Sequence, residues 1–117
     1  MVSDRVVAHF EIHSTRYVGP DGKALGTLPA WAGDRTELVA LYRAMALTRS
    51  FDERAVALQR SGQLGTFASS LGQEAVAVGV AAAMGERDVL LPSFREQGAQ
   101  IWRGVTLVEL LLYWGGD

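Results

Sequence analysis

One group of side chains with the types and spacing for ligand binding surrounds Arg95, in the run PSFREQ at residues 92–97. The run follows Val89–Leu91, an apolar stretch that predicts a short buried strand ending at Pro92. Ligands bind at the carboxyl ends of strands in α/β sheets, and the N–H groups at a helix start favour anions. A guanidinium at that place can hold a phosphate through two parallel hydrogen bonds. From spacing alone, however, an ion pair with a nearby glutamate or simple solvation is the commoner role for such an arginine.

A second group lies at residues 69–74, with the sequence SSLGQE. Two serines and a glycine before a predicted helix could surround an anion. The commoner meaning of this spacing is a capped helix, with Ser70 as the N-cap and Gln73 three residues later. The glycines match neither the P-loop nor the dinucleotide-binding pattern.

Two further pairs carry weaker signals. His9 and His13 are four residues apart, which suits a metal site on a helix, but their segment is predicted to be extended and no third ligand is evident. Asp52 and Glu53 are neighbouring carboxylates, and adjacent helix residues do not face each other. We therefore predict solvated or packed histidines and a solvated acidic face.

The length and composition of the chain exclude several classes of function. The 117 residues suit a single domain, and 49% hydrophobic content allows a core. A net charge of −2 gives no basic excess for nucleic-acid binding, and the absence of cysteine excludes a disulfide framework or a thiol nucleophile. No apolar run approaches the roughly 18 residues of a membrane span, and residues 1–5 lack the long apolar region that is typical of a secretory signal. The expected location is cytoplasmic, with neither a nucleic-acid nor a membrane partner.

The elements that must position these side chains are mostly helices. Residues 1–33 are predicted to form an N-terminal arm, with a strand-like stretch at Val6–Ile12 and a turn at Pro20–Gly22. In residues 34–117, apolar positions at helical spacing predict a helix of about seven turns from near Thr36, capped by Asp34 or Thr36 and ended by Gly62.

Three shorter helices are predicted to follow. The first, from about Gln73 to Met84, is apolar on nearly every face and should be buried all round. A turn at residues 85–88 leads to the predicted strand, and Ser93 is expected to cap a helix through Gly98–Arg103. Thr106 and Glu109 form a capping box for a helix over Leu107–Trp114. These patterns predict a helical domain that needs a partner surface, without identifying a reaction.

Three stretches in series resemble a known family. They are residues 42–65, with YRAM, RSFDER and QRSGQLG; residues 71–75, LGQEA; and residues 91–105, with LPSFREQG and RGV. Each is weakly specific alone, but their order and spacing are similar to the start of the alpha subunit of the thiamin-diphosphate-dependent dehydrogenase component of 2-oxoacid dehydrogenase complexes, of pyruvate or branched-chain type. The resemblance covers residues 16–117.

The resemblance implies a fold, a reaction and partners. The fold would be α/β: this chain would be the helix-rich N-terminal third of a thiamin-diphosphate-binding domain, with most of the parallel sheet missing. The reaction would be oxidative decarboxylation of a 2-oxoacid, with acyl transfer to a lipoyl group, and the overall style of the motifs favours pyruvate as the substrate. The implied partners are the beta subunit, in an α2β2 assembly, and the lipoyl acyltransferase core.

The resemblance also implies roles for a few residues. Arg95 matches the arginine that reaches the cofactor diphosphate. Phe94 stands where relatives usually have tyrosine, so it keeps the packing face and lacks the hydroxyl, while Ser93 beside it is a further cofactor contact. Ala68 falls where pyruvate-type relatives can have a histidine near the substrate, and Phe67 is expected to line the same pocket. No catalytic residue and no metal ligand is implied within this chain.

The departures from the family pattern support an alternative. The family's Gly-Asp-Gly run, which holds Mg²⁺ and the diphosphate, is absent, and family alpha subunits are considerably longer than this chain. The metal would thus be held by a C-terminal part that is missing here. The alternative to an enzyme-subunit piece is a truncated, inactive remnant or a helical interaction module.

Overall fold

The computed structural model of the protein describes residues 3–116. These residues fall into two units, with the boundary between Gly33 and Asp34. Four α-helices and one short 3-10 helix account for the regular structure, and no strand is present among the described residues beyond an isolated β-bridge between Val18 and Ala24. The helix-rich character expected from the sequence is confirmed for this part of the chain.

The first unit is largely irregular. Val6–Ile12 forms no strand, and its apolar side chains are exposed, so the predicted strand is wrong: no neighbouring strand in the described residues offers it hydrogen-bond partners. The turn is confirmed, because Gly22 has a φ of +78° and its N–H donates to the carbonyl of Gly19 at 3.0 Å. A 3-10 helix at Ala30–Gly33 ends the unit.

Helix α1, Arg35–Arg60, is the longest element of the second unit. Its predicted cap is confirmed: the Asp34 carboxylate accepts from the N–H groups of Thr36 at 2.8 Å and Glu37 at 3.2 Å. The helix ends before Gly62, whose φ of +74° permits the left-handed turn that closes it. Both ends are set by contacts within a few residues.

Helix α2, Glu74–Ala83, packs against α1 and a short third helix. Its buried face carries Ala77, Val78 and Ala81, whereas Val76 and Val80 are 69% and 56% exposed. Helices of the described residues thus cover only one face of α2, and burial of the other face, which the sequence predicts with a partner surface, stays a prediction. The predicted cap is wrong, because Ser70 lies four residues before the helix and bonds elsewhere.

Helices α3, Gln97–Trp102, and α4, Leu107–Gly115, complete the unit. Ser93 does not cap α3, which follows Glu96 and has no side-chain cap. The capping box of α4 is confirmed: the Thr106 hydroxyl accepts from the Glu109 N–H at 3.2 Å, and the Glu109 carboxylate accepts from the Thr106 N–H at 2.8 Å.

The predicted buried strand at Val89–Leu91 is wrong. The segment has no regular secondary structure, and Val89 and Leu91 are 79% and 88% exposed. An isolated extended segment leaves its backbone groups without ladder partners, and the described residues provide no second strand. The parallel sheet implied by the α/β resemblance is thus not represented in this part of the chain.

Two apolar clusters hold the second unit together. One contains Phe51 and Ala55 of α1, Phe67 and Leu110, and the other contains Ala77, Ala81 and Ala99. Gly98 of α3 lies so close to α1 and α2 that a Cβ atom there would be 3.1 Å from the Thr48 hydroxyl and 3.2 Å from a Val78 methyl. This close approach brings the segment around Arg95 against the loop before α2.

Candidate functional site

The loop at residues 67–72, between α1 and α2, is held by a buried carboxylate. Asp52 of α1 is only 2% exposed. Its carboxylate accepts from the Ser69 hydroxyl at 2.6 Å, from the Ser70 N–H at 2.6 Å and from the Ser70 hydroxyl at 3.2 Å. The prediction that Asp52 belongs to a solvated face is wrong, because these donors from the loop replace water around it.

Arg95 lies across the same loop. Its Nη1 donates to the carbonyl oxygen of Ser69, and its guanidinium carbon lies 5.3 Å from the centre of the Phe94 ring. The Arg95 backbone N–H donates to the Glu96 carboxylate at 3.1 Å. Among residues 3–116, no carboxylate lies within ion-pair distance of the guanidinium. The side chain is therefore oriented by a neutral acceptor and keeps its charge and further N–H donors for an anion.

Gln97 ties the loop to α3 from the other side. Its Nε2 donates to the carbonyls of Ala68 at 3.0 Å and Phe94 at 3.2 Å. The side chain is 1% exposed, and its Oε1 has no hydrogen-bond partner among the described residues. Two consecutive loop carbonyls, those of Ala68 and Ser69, thus receive the side chains of Gln97 and Arg95.

A cavity of about 330 Å³ opens beside Arg95. Its polar lining comes from Ser93, Arg95, Glu96 and Gln73. The remaining lining is apolar and comes from α2, the segment before Arg95 and α3: Val76, Ala77, Val80, Leu90, Leu91 and Ala99. A guanidinium next to an apolar wall is suited to a ligand with one anionic and one apolar part.

An ion pair fixes the start of α2 on α1. Nε of Arg49 lies 2.5 Å from Oε1 of Glu74, whose side chain is 8% exposed, and the Gly72 N–H donates to the same oxygen at 3.2 Å. The hydrogen bond from Arg49 outweighs burial and lowers the pKa of Glu74 from 4.5 to about 2. The same hydrogen bond raises the pKa of Arg49. Glu74 therefore serves as an ionised anchor for the end of the 67–72 loop.

The structure brings some of the predicted site residues together and separates others. Ser93 and Arg95 line the cavity, and Phe94, 57% exposed, lies beside the guanidinium. Phe67 instead packs in the core, with its ring centre 6.1 Å from that of Phe51 and 5.1 Å from that of Trp114. Ala68 is half-buried and presents its carbonyl to Gln97.

The anion argument from the strand end and helix start fails. Among residues 3–94 no strand precedes Arg95, and α3 begins two residues after Arg95 and has only 6 residues. The second group, at residues 69–74, also acts differently: its serines hold Asp52. The remaining support for an anion site is that Arg95 is oriented by the Ser69 carbonyl and has no carboxylate partner in the described residues.

Sequence reasoning missed Asp52 and Gln97 as parts of the site. Asp52 stands one residue after Phe51, on the edge of the apolar stripe of α1, and that position was the available signal. The histidine pair gives no site: His13 Nε2 lies 3.5 Å from a Glu11 carboxylate oxygen, and His9 and His13 are both exposed. Residues 3–116 contain no group of three or more His, Cys, Asp or Glu side chains placed to hold a metal.

Comparison of the sequence with known families identifies the class of protein, and the matched region includes Arg95. The family described as "Dehydrogenase E1 component" matches residues 42–117, more than half of the chain. The chain belongs to this family.

Several curated proteins are similar to this chain. The chain is 38% identical over 81 residues to the pyruvate dehydrogenase E1 component subunit alpha of Mycoplasma genitalium, covering 69% of this chain and 23% of that protein. The alpha subunits of the same name are 39% identical over 80 residues in Acholeplasma laidlawii and 38% identical over 77 residues in Staphylococcus aureus. These matches cover 68% and 66% of this chain. The aligned part spans less than a quarter of each relative's length: 23% and 21% for these two.

No solved structure matches the chain significantly. Within residues 3–116, no helix combines the length and the apolar character that crossing a bilayer requires.

Proposed function

We propose that residues 34–117 form part of the thiamin-diphosphate-binding domain of a pyruvate dehydrogenase alpha subunit, and that Arg95 binds the cofactor diphosphate there. One observation carries the proposal. In a chain of this family, the Arg95 guanidinium is exposed, is oriented by the Ser69 carbonyl and faces no carboxylate within the described part of the chain.

The residues present fit such a group. A diphosphate needs concentrated positive charge and N–H donors, and the guanidinium of Arg95 supplies both. The apolar lining of the adjoining cavity suits the organic part of a cofactor, Ser93 lines the same cavity, and the Phe94 ring lies beside the Arg95 guanidinium. Thiamin diphosphate, when bound, supplies the electron sink for decarboxylation of a 2-oxoacid. This chain's residues would bind and orient it.

The rest of the assignment follows from the family and from the name that its relatives carry. The substrate would be pyruvate, and the acyl group would pass to a lipoyl group of the acyltransferase core. The Mg²⁺ ligands and the activating carboxylate would come from outside the described residues, the latter from a beta subunit in an α2β2 assembly. A cytoplasmic location and an α/β domain around these helices belong to the same proposal.

We also propose roles near the substrate for Phe67 and Ala68. Because the Phe67 ring packs between Phe51 and Trp114, we propose that it supports the loop from the core side. Ala68 would then be the nearer of the two to a substrate, since its half-buried position lies next to the Ser69 carbonyl that holds Arg95.

Titration with thiamin diphosphate and Mg²⁺ tests the proposal, first on the chain alone and then together with the beta subunit and a polypeptide that carries the family's Gly-Asp-Gly run. We expect Arg95→Ala to weaken binding by about 10- to 100-fold, since hydrogen bonds to a charged group are lost. Arg87→Ala is the matched control, because Arg87 is an exposed arginine in the 85–88 turn and does not line the cavity. Equal affinities for the two variants would exclude the diphosphate role of Arg95.

The alternative function is that of an interaction module. The exposed face of α2, with Val76 and Val80, favours it, because a helix of valines and alanines gains stability when that face is covered. An assembly with the beta subunit that forms and binds no thiamin diphosphate, under conditions in which a curated relative does, would support this alternative or an inactive remnant.

A further inference from the structure

The Asp52 carboxylate is satisfied by one short segment of the chain. All three of its hydrogen-bond donors belong to Ser69 and Ser70, although 17 and 18 residues separate them from Asp52. No lysine, arginine or histidine of the described residues lies within ion-pair distance. A buried carboxylate without these donors would be strongly destabilising, so the loop and the carboxylate hold each other in place.

The segment held in this way is also the one that orients Arg95. The Ser69 carbonyl accepts from Nη1 of Arg95, and the Ser69 hydroxyl donates to Asp52. The Ser70 N–H, which belongs to the same peptide unit as the Ser69 carbonyl, donates to Asp52 at 2.6 Å. A planar peptide unit points its N–H and C=O in opposite directions. Fixing that N–H on Asp52 therefore aims the carbonyl away from α1, toward Arg95.

We propose that Asp52 is a positioning residue for Arg95: by holding the Ser69–Ser70 peptide, it sets the direction in which the Arg95 guanidinium points. Asp52 itself touches no ligand and acts through the peptide. This inference rests on the proposed diphosphate role of Arg95 for its functional consequence. The geometric part, that Asp52 orders the guanidinium, can be tested without any ligand.

The first experiment observes Arg95 directly in the 117-residue chain. A hydrogen bond from Nη1 slows rotation of the guanidinium, so we expect separate, resolved Nη signals for Arg95 in nitrogen-15 NMR spectra, assigned by their loss in Arg95→Lys. Asp52→Asn keeps one acceptor oxygen and the side-chain shape, and should merge or broaden these signals. Unchanged Arg95 signals in a folded Asp52→Asn variant would overturn the proposal.

Two further variants guard against a purely structural effect. Ser69→Ala removes only one of the three donors and should shift the Arg95 signals in the same direction by a smaller amount, even where Asp52→Asn does not fold. Thr48→Val is the matched control: Thr48 is fully buried one turn earlier on α1, and its hydroxyl donates to Ala44 at 2.8 Å and not to the loop. If Thr48→Val changes the Arg95 signals as much as Asp52→Asn does, the result would count against Asp52 as the residue that positions Arg95.

The second experiment is a double-mutant cycle on thiamin diphosphate affinity in the presence of Mg²⁺. Asp52→Asn should weaken binding by about tenfold when Arg95 is present and should add no further weakening when Arg95 is alanine. Equal weakening in both backgrounds would show that Asp52 acts independently of Arg95. If Arg95→Ala leaves affinity unchanged, the proposed diphosphate role fails, and the NMR result alone still decides whether Asp52 positions Arg95.

Discussion

The guanidinium of Arg49 lies 2.5 Å from the carboxylate of Glu74, and this ion pair joins the middle of α1 to the first residue of α2. It holds the last residue of the 67–72 loop, whose middle is held by Asp52. The segment that orients Arg95 is therefore anchored on α1 at two positions, three residues apart and almost one helical turn from each other.

The Arg49–Glu74 pair predicts a pH dependence of stability. The pKa of Glu74 is about 2 in the folded chain against an ordinary value of 4.5, so ionisation of Glu74 favours the folded state. Because the folded pKa is the lower one, this stabilisation is complete above about pH 4.5 and is lost as the pH falls toward 2. Urea unfolding of the wild type and Glu74→Gln should show a stability gap that is constant at neutral pH and narrows below pH 4.5. A gap that persists undiminished at the acid end would contradict the assignment.

Alanine substitutions at Gly98 of α3 and at Gly79 of α2 are expected to change the stability of the chain in opposite directions. A Cβ at Gly98 would lie 3.1 Å from the Thr48 hydroxyl and 3.3 Å from the Ala77 Cβ, and we expect Gly98→Ala to destabilise the chain by about 1–3 kcal/mol. A Cβ at Gly79 of α2 meets nothing within 4 Å, so Gly79→Ala should stabilise it by about 0.5–1 kcal/mol. Thermal unfolding of both variants measures this difference, and effects of the same sign would contradict the observed packing of α3.

The capping box of α4 predicts a local loss of stability. Thr106→Ala removes the hydroxyl that accepts from the Glu109 N–H, at a cost of about 1 kcal/mol. Thr66→Ala is the matched control, since Thr66 is an exposed threonine in the loop before α2. Chemical denaturation should separate the two variants, and equal midpoints would mean that the cap contributes nothing.

The position of Phe94 predicts a gain in affinity. Its ring is exposed beside the Arg95 guanidinium, so an added hydroxyl has room to reach a ligand. We expect Phe94→Tyr to tighten thiamin diphosphate binding by about 2- to 10-fold, the range of one additional hydrogen bond. Phe94→Leu, which gives up the ring and adds no hydroxyl, should not tighten it. Calorimetric titration with Mg²⁺ compares the two, and a weaker affinity for the tyrosine variant would argue against a ligand at this place.

Phe67 predicts an effect on stability. Its ring packs edge-on against Phe51 and Trp114, so Phe67→Leu should destabilise the chain by about 1–3 kcal/mol. Phe10→Leu is the control, because that ring is exposed in the first unit. A Phe67→Leu variant with unchanged stability would show that the aromatic cluster is not part of the core.

The sequence by itself determined the features whose interactions are local. The bounds of α1, the turn at residues 85–88 and the cap of α4 were predictable because each depends on hydrogen bonds between residues at most a few positions apart. Family membership was likewise readable from three motifs in series, and the family match confirms it.

Only the tertiary structure decided the candidate site. Whether Asp52 faces water or the loop depends on donors that are 17 and 18 residues away in the sequence. No local sequence pattern shows that these donors come close to Asp52 in space. The buried strand at Val89–Leu91 was a wrong prediction for a related reason, and burial of the outer face of α2 stays a prediction. Apolar side chains in a sequence indicate which segments gain stability from burial. Burial also requires other parts of the protein to pack against those side chains, and the described residues provide no such cover for Leu91 or Val76.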